Sequence, residues 1–476
     1  MNNTKRKTKL IATIGPASNS YAKLVELYQS GVNVFRLNFS HGRHDDHEQV
    51  IKHLVKLNNE LNAHVSILAD LQGPKLRTGL MQNNAIELKE GKSIKVTCED
   101  VIGTKEIFSV TYEKLTTDLK VNEFILIDDG KIELQVEEIL DTKTVQCKII
   151  SGGMLSSKKG FNLPNTKISL PSLTEKDRAD LAFILTQPVN WIALSFVRTA
   201  KEINELRDII HQNDSPLKIV AKIEKPEAVK NIDSIIKATD AVMIARGDLG
   251  VEVAMEEMPL IQKNIIYKCI QASKPVIIAT QVMESMIDMS RPSRAEITDV
   301  ANGVLDGADA IMLSGETSVG KNPARVIQTI DKIIRRTEQE DEIYNKHLLP
   351  DKNSKTFLSD AICFNACKIA EDVDAKAING MTYSGYTAFM LASNRPKAEI
   401  HIFTSNLSLL NTLGLVWGVD VFYYDKFVST DESIDDIIEI LKSEKAVSSG
   451  DIIVSTASMP IRGHGRTNMV KISKIK

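Results

Sequence analysis

The sequence is short of cysteine, has no long apolar run and carries no dominant charge. Five cysteines stand among 476 residues (Cys98, Cys147, Cys269, Cys363 and Cys367), an odd number without a Cys-x-x-Cys pair. That argues against a disulfide framework and a cysteine-held metal, and fits reduced thiols in a cytoplasm. Cys363 and Cys367, four apart on an expected helix, read as core. No apolar stretch approaches the ~20 residues of a membrane helix. Lys5, Arg6, Lys7 and Lys9 near the start are followed by no signal core, so they are expected to form a solvated basic end. With 59 Lys and Arg against 62 Asp and Glu, the net charge is −3, and nothing global favours nucleic acid or an anionic membrane.

What is present is a repeated unit: a short β-branched apolar run, a polar cluster, then a helical pattern. Expected strands are 9–14, 32–38, 65–70, 191–195, 219–223, 241–245, 276–279 and 310–313. Expected helices between them include 200–212, 225–238 and 259–272. Apolar strands alternating with helices imply parallel strands buried on both faces, and eight such units suggest a closed (β/α)8 barrel. Polar residues follow the strands: Arg36, Asn38 and Ser40; Asp70; Lys222 and Glu224; Arg246 and Asp248; Thr280 and Gln281; Ser314 and Glu316. All fall on the strand C-terminal rim, where barrel enzymes place their chemistry.

Between Asp70 and Trp191 the rhythm breaks. Short strands at 94–98, 108–111, 124–127, 132–136 and 145–150, with a hairpin signal at Asp129-Gly130, read as a small β-barrel domain inserted as a lid. From about Tyr344 a further α/β unit is expected, with helices at 357–373, 386–392 and 435–442 and strands at 400–404, 419–424, 452–455 and 469–472. The expected division is 1–72 and 171–343 for the barrel, 73–170 for the insertion, and 344–476 for a C-terminal regulatory or oligomerisation domain.

The densest chemistry lies in Ala221-Lys-Ile-Glu-Lys-Pro-Glu227 and Met243-Ile-Ala-Arg-Gly-Asp-Leu-Gly250. Glu224 and Asp248 leave successive strands, and two carboxylates with open positions suit Mg²⁺. Lys222, two residues before Glu224, points the same way in an extended strand, as phosphoryl transfer requires of a neutralising cation. Gly247 lets backbone N–H groups approach a phosphate. A structural salt bridge is the plain alternative for Lys222. His41, His44 and His47 crowd one turn; a metal site there is weighed against a solvated turn and rated below it.

Together with Ala279-Thr-Gln281, Arg291-Pro-Ser-Arg-Ala-Glu296, Met312-Leu-Ser-Gly-Glu-Thr317, Thr13-Ile-Gly-Pro-Ala-Ser18, Phe35-Arg-Leu-Asn-Phe-Ser-His-Gly42, residues 70–79 and Ser157-Lys-Lys-Gly-Phe-Asn-Leu-Pro164, these segments resemble the signatures of the pyruvate kinase family, in order. The resemblance implies transfer of a phosphoryl group from phosphoenolpyruvate to ADP, with Mg (or Mn) as cofactor, in a cytoplasmic homotetramer. It implies catalytic roles for Lys222, Arg36 and Thr280. Glu224 and Asp248 would hold the divalent ion. Arg36, Lys222, Gly247, Asp248 and Thr280 would bind phosphoenolpyruvate, and Arg36, Asn38, His41, Arg77 and Lys159 would face nucleotide phosphates. A water ordered by Thr280, Ser314 or Glu316 would protonate the enolpyruvate.

Three departures from the family pattern stand out. The family K⁺ site corresponds to Asn38, Ser40, Asp70 and the Leu71 carbonyl, but where many members carry a glutamate this chain has Lys75, in Leu71-Gln-Gly-Pro-Lys75. Two cations about 4 Å apart repel by about 4 kcal/mol at an effective dielectric near 20, so K⁺ is expected not to be required. The alternative is that Lys75 faces solvent and K⁺ still binds. Val319 replaces a lysine frequent in relatives. In Thr382-Tyr-Ser-Gly-Tyr-Thr387, which resembles a loop that cradles a phosphorylated effector through Thr382, Ser384, Gly385 and Thr387, a usual basic residue is Tyr383; Gly463-His-Gly-Arg466 offers a nearby charge. Two rival functions remain open: a Mg-dependent barrel aldolase or lyase acting on an enolate, and a non-catalytic metabolite sensor.

Overall fold

Eight short strands, apolar on both faces, cannot leave either face in water, and they close on one another. The computed structural model describes residues 5–164, 166, 168–426, 429–459 and 465–476. In it the barrel strands are Lys9–Thr13, Val34–Asn38, Ser66–Asp70, Trp191–Leu194, Lys218–Ile223, Ala241–Ala245, Val276–Ala279 and Ala310–Leu313. Each pairs in parallel with its chain neighbours, and the first pairs with the last, which makes the expected (β/α)8 barrel. Expected ends differ by a residue or two; the fourth strand stops at Leu194 and leaves Ser195 in the following turn. The expected helix over 225–238 is two helices, Pro226–Lys230 and Ile232–Ala238, meeting at Asn231, whose side-chain amide donates to the Arg198 carbonyl.

Ile11, Val34, Leu68, Trp191, Val220, Met243, Ile277 and Met312 pack inside the barrel. Side chains alternate along a strand. Arg36, Asp70 and Lys222, each two residues beyond one of these, therefore point inward one layer nearer the rim. The opposite end is closed by Leu415, and the Trp191 indole N–H donates to the Thr412 carbonyl at 3.0 Å.

The insertion has its own apolar core, including Ile94, Val96, Phe108, Ile125 and Leu134. It contains a six-stranded sheet and a pair, Ala85–Leu88 with Gly153–Ser156, that the sequence pattern had not suggested. Asp129-Gly130 lies in the hairpin between Phe124–Ile127 and Ile132–Ile139, where Asp128, Asp129 and Gly130 all take positive φ. The last domain is a five-stranded sheet whose final strand, Met469–Lys474, runs antiparallel. Its central strand, Ala377–Met381, was not expected, because Asn379-Gly380 interrupts the apolar run.

Of the basic start only Lys5 is exposed; Arg6, Lys7 and Lys9 are taken inside, contrary to expectation. Lys7 Nζ donates to the carbonyls of Pro396, Lys397 and Ala398 at 2.8, 2.7 and 2.8 Å. Lys9 Nζ donates to the Val419 carbonyl, and Arg6 pairs with Asp331. Lys7 and Lys9 fasten the barrel to the last domain, whose Arg395 is also buried against Asp309 of the barrel, while Arg6 is held within the barrel itself.

Candidate active site

At the rim, the fifth strand aims Lys222 inward. Its ammonium lies 3.3 Å from Asp70 Oδ1 and 2.9 Å from Glu224 Oε1, and it donates to Ser195 Oγ at 2.7 Å. Burial alone would lower the Lys222 pKa, but Asp70 and Glu224 outweigh it and hold the lysine above its ordinary value. Asp70 is 1% exposed. Burial pushes its pKa up, while Lys222 and Arg36 more than reverse that. Arg36 reaches Asp70 Oδ2 through Nε at 2.7 Å and Nη2 at 2.6 Å, and its Nη1 donates to Thr13 Oγ1.

Glu224 is raised, first by burial and, against the pull of Lys222, also by the negative charge of Asp248. Its Oε2 accepts the Phe196 N–H at 2.7 Å. Asp248 sits in the first turn of Arg246–Glu252, on the wall of the cleft between barrel and insertion that Lys75, Asn162, Arg198 and Lys225 also line. The Lys75 ammonium is 3.8 Å from Asp248 Oδ1. Lys75 thus faces the cleft, beside the expected divalent-ion carboxylate and not paired with Asp70.

Thr280 has φ +67, a strained value for a β-branched residue. Its Oγ accepts the Gly247 N–H at 2.7 Å, so that amide is occupied by the protein itself. The strain is held by Arg246, which donates to the carbonyls of Thr280 and Gln281 and pairs with Asp299. Glu316, 3% exposed, accepts the N–H groups of Met283 and Ser314 and is committed to shaping that rim.

The nucleotide-facing set is brought together in part. Partial burial and then the charges of Arg77, Lys75 and Arg36 lower the His41 pKa. Lys159 instead pairs with Asp128 of the insertion at 2.9 Å. Asn38 Oδ1 accepts the Ser40 N–H within its own turn, and the Leu71 carbonyl accepts the Ser195 hydroxyl at 2.7 Å. The three crowded histidines do not converge. His44 bonds to Asp180, His47 stacks on Phe39 at 4.2 Å, and the His47 ring nitrogen meets the His41 carbonyl. No group of three or more metal-ligating side chains occurs among the described residues.

Ser195 and Phe196 escaped the sequence reading. Ser195 ended the expected strand 191–195, at the rim level of the other polar residues, and that position was its only signal.

In the last domain a cavity of about 310 Å³ is lined by Thr382, Ser384, Thr387, Lys426 and Arg466. Gly385 takes φ +85 and donates to Thr382 Oγ1. Thr387 Oγ1 is engaged with Thr467. Gly463 and His464 lie outside the described residues; Gly465 and Arg466 line the cavity.

Residues 5–327 match the family model described as "Pyruvate kinase, barrel domain", and residues 360–473 that described as "Pyruvate kinase, alpha/beta domain". The chain is 44% identical over 473 residues to a pyruvate kinase of Geobacillus stearothermophilus, covering 99% of this chain and 81% of the relative. It is 41% identical to one of Corynebacterium glutamicum, covering 98% and 97%. A crystal structure of a pyruvate kinase from Cryptosporidium parvum superposes with a TM-score of 0.93 at 34% identity, covering 99% of this chain and 96% of that one.

Proposed function

The chain belongs to the pyruvate kinase family, phosphotransferases that move the phosphoryl group of phosphoenolpyruvate to ADP in the last step of glycolysis, and we propose that Lys222, Glu224 and Asp248 form the centre of that reaction. The aldolase or lyase alternative finds no support in the comparisons.

The observation that carries the reading is one ammonium shared between two buried carboxylates on the barrel rim. The donor set fits a divalent ion: two hard oxygen ligands, one buried and one open to the cleft. Glu224 and Asp248 would hold Mg²⁺ or Mn²⁺, and the bound ion supplies charge neutralisation at the phosphoryl oxygens and at the enolate. Lys222 stabilises the phosphoryl group in flight. Arg36, fixed by Asp70 and Thr13, offers its guanidinium to phosphoenolpyruvate. Thr280 and the Gly247–Asp248 turn frame the other side of the substrate. Glu316 holds the Ser314 and Met283 backbone and so sets where a proton-donating water would stand. Arg77, His41 and Asn38 receive nucleotide phosphates, joined by Lys159 when it leaves Asp128. Closure of the insertion excludes water, which competes for the phosphoryl group.

Lys75 removes the requirement for K⁺, because its charge already stands in the cleft. The cavity at Thr382, Ser384, Gly385 and Thr387 takes a phosphorylated effector; Lys426 and Arg466 supply the charge that Tyr383 does not. The protein works as a cytoplasmic homotetramer, with the last domain in one interface.

ATP formation from ADP and phosphoenolpyruvate tests the reading. Lys222→Met should lower kcat by about 10²–10³, the loss typical of a charge that stabilises a transition state. Normal turnover by this variant rejects the assignment.

A further inference from the structure

We propose that Ser195 is the positioning residue for Lys222, the fixed anchor of the ammonium while Glu224 is drawn away from it. The inference rests on the role given to Lys222 above. An ammonium has three N–H donors and no acceptor. Lys222 donates one of them to Ser195 Oγ at 2.7 Å and is ion-paired with Asp70 Oδ1 at 3.3 Å and Glu224 Oε1 at 2.9 Å. A divalent ion held by Glu224 would compete with Lys222 for its oxygens, and the ammonium would then have an N–H to offer the phosphoryl group. Asp70 gives the longest of the three contacts, and its other oxygen already serves Arg36. The shortest contact is to a neutral hydroxyl, which has no competing metal role.

Ser195 is built to stay in place. It is 1% exposed. A hydroxyl has one proton, and this one goes to the Leu71 carbonyl at 2.7 Å, leaving its lone pairs for Lys222. A Cβ at Gly73, which has φ +68, would stand 2.8 Å from Ser195 Cβ, so the neighbouring chain runs directly against the serine. The next residue, Phe196, holds φ +54, a costly conformation for an aromatic residue that persists only where its surroundings over-determine it. Its N–H donates to Glu224 Oε2 at 2.7 Å. One strained turn thus addresses the lysine through its hydroxyl and the acid through its amide.

The test compares Ser195→Ala, Ser195→Cys and Lys222→Met in the full-length protein. Ser195→Ala should lower kcat by about 30-fold or more, with the KM for phosphoenolpyruvate and the calorimetric affinity for Mn²⁺ alone each within about threefold of the parent. Ser195→Cys fills the same space with a poor acceptor and should stay at least about tenfold slow; it carries the test alone if the alanine variant does not fold. A serine that only fills space predicts full recovery in Ser195→Cys, and that result overturns the proposal, as does Ser195→Ala turning over within threefold of the parent. An active Lys222→Met overturns the reading of Lys222 itself. An inactive Lys222→Met beside a fully active Ser195→Ala removes only the role of Ser195.

Discussion

The K⁺ independence proposed for the parent predicts that reversing the charge at Lys75 makes turnover depend on K⁺. Lys75 Nζ lies 3.8 Å from Asp248 Oδ1, and its side chain is 36% exposed. At that separation unit charges interact by about 4 kcal/mol at an effective dielectric near 20. Exposure of this degree brings the working figure toward ~1 kcal/mol. A monovalent cation lodged a similar distance from position 75 is repelled by that amount in the parent and attracted by it in Lys75→Glu. The swing is therefore about 2 kcal/mol when screened, roughly thirtyfold in cation affinity, and larger when the lid excludes water. The assay is the initial rate of ATP formation in tetramethylammonium buffer, free of Na⁺ and K⁺, before and after adding K⁺. The parent should change less than about twofold. Lys75→Glu should lose at least about tenfold without K⁺ and recover with it. A tenfold or greater gain by the parent on adding K⁺ refutes the reasoning.

Burial raises the Glu399 pKa, but the His401 ring 3.5 Å away and the Lys376 ammonium at 3.1 Å more than reverse this and bring it from 4.5 to about 2. The folded state therefore holds fewer protons than the unfolded one between those values. Stability from this group is present above pH 4.5 and lost as pH falls toward 2; Glu399→Gln should flatten the fall of Tm over that window. Arg395, 1% exposed, donates to Asp309 Oδ1 at 3.1 Å and to the Gly307 carbonyl at 2.7 Å. Arg395→Met leaves a buried carboxylate short of its cation and should cost about 3–5 kcal/mol in denaturant unfolding. Arg466→Ala should weaken the response of the phosphoenolpyruvate saturation curve to a phosphorylated sugar, and a parent curve unmoved by any such compound rejects the effector cavity.

The barrel was legible because its strands are buried on both faces and several of its helices begin with a capping box. The helix Ala200–Gln212 begins with the box formed by Thr199 and Glu202, and it was placed to the residue. The central strand of the last domain was illegible because Asn379 and Gly380 break its apolar run, although Asn379 is 1% exposed. The basic start misled for a related reason: local composition reads Arg6, Lys7 and Lys9 as solvated, but the last domain supplies carbonyls that take Lys7 and Lys9 inside and the barrel helix Pro323–Thr337 supplies Asp331 for Arg6.

From the amino-acid order alone came the alternation of strand and helix, the ordered motifs, and the pairing of Lys222 with Glu224 on one side of one strand. These follow from backbone geometry a few residues wide. Only the closed barrel decided that Asp70, Ser195 and Lys222 would meet, across an insertion of about a hundred residues, and that Lys75 would face Asp248. Which strands become neighbours, and how far each rises at the rim, depends on the order and stagger of the whole sheet, and no local pattern encodes that.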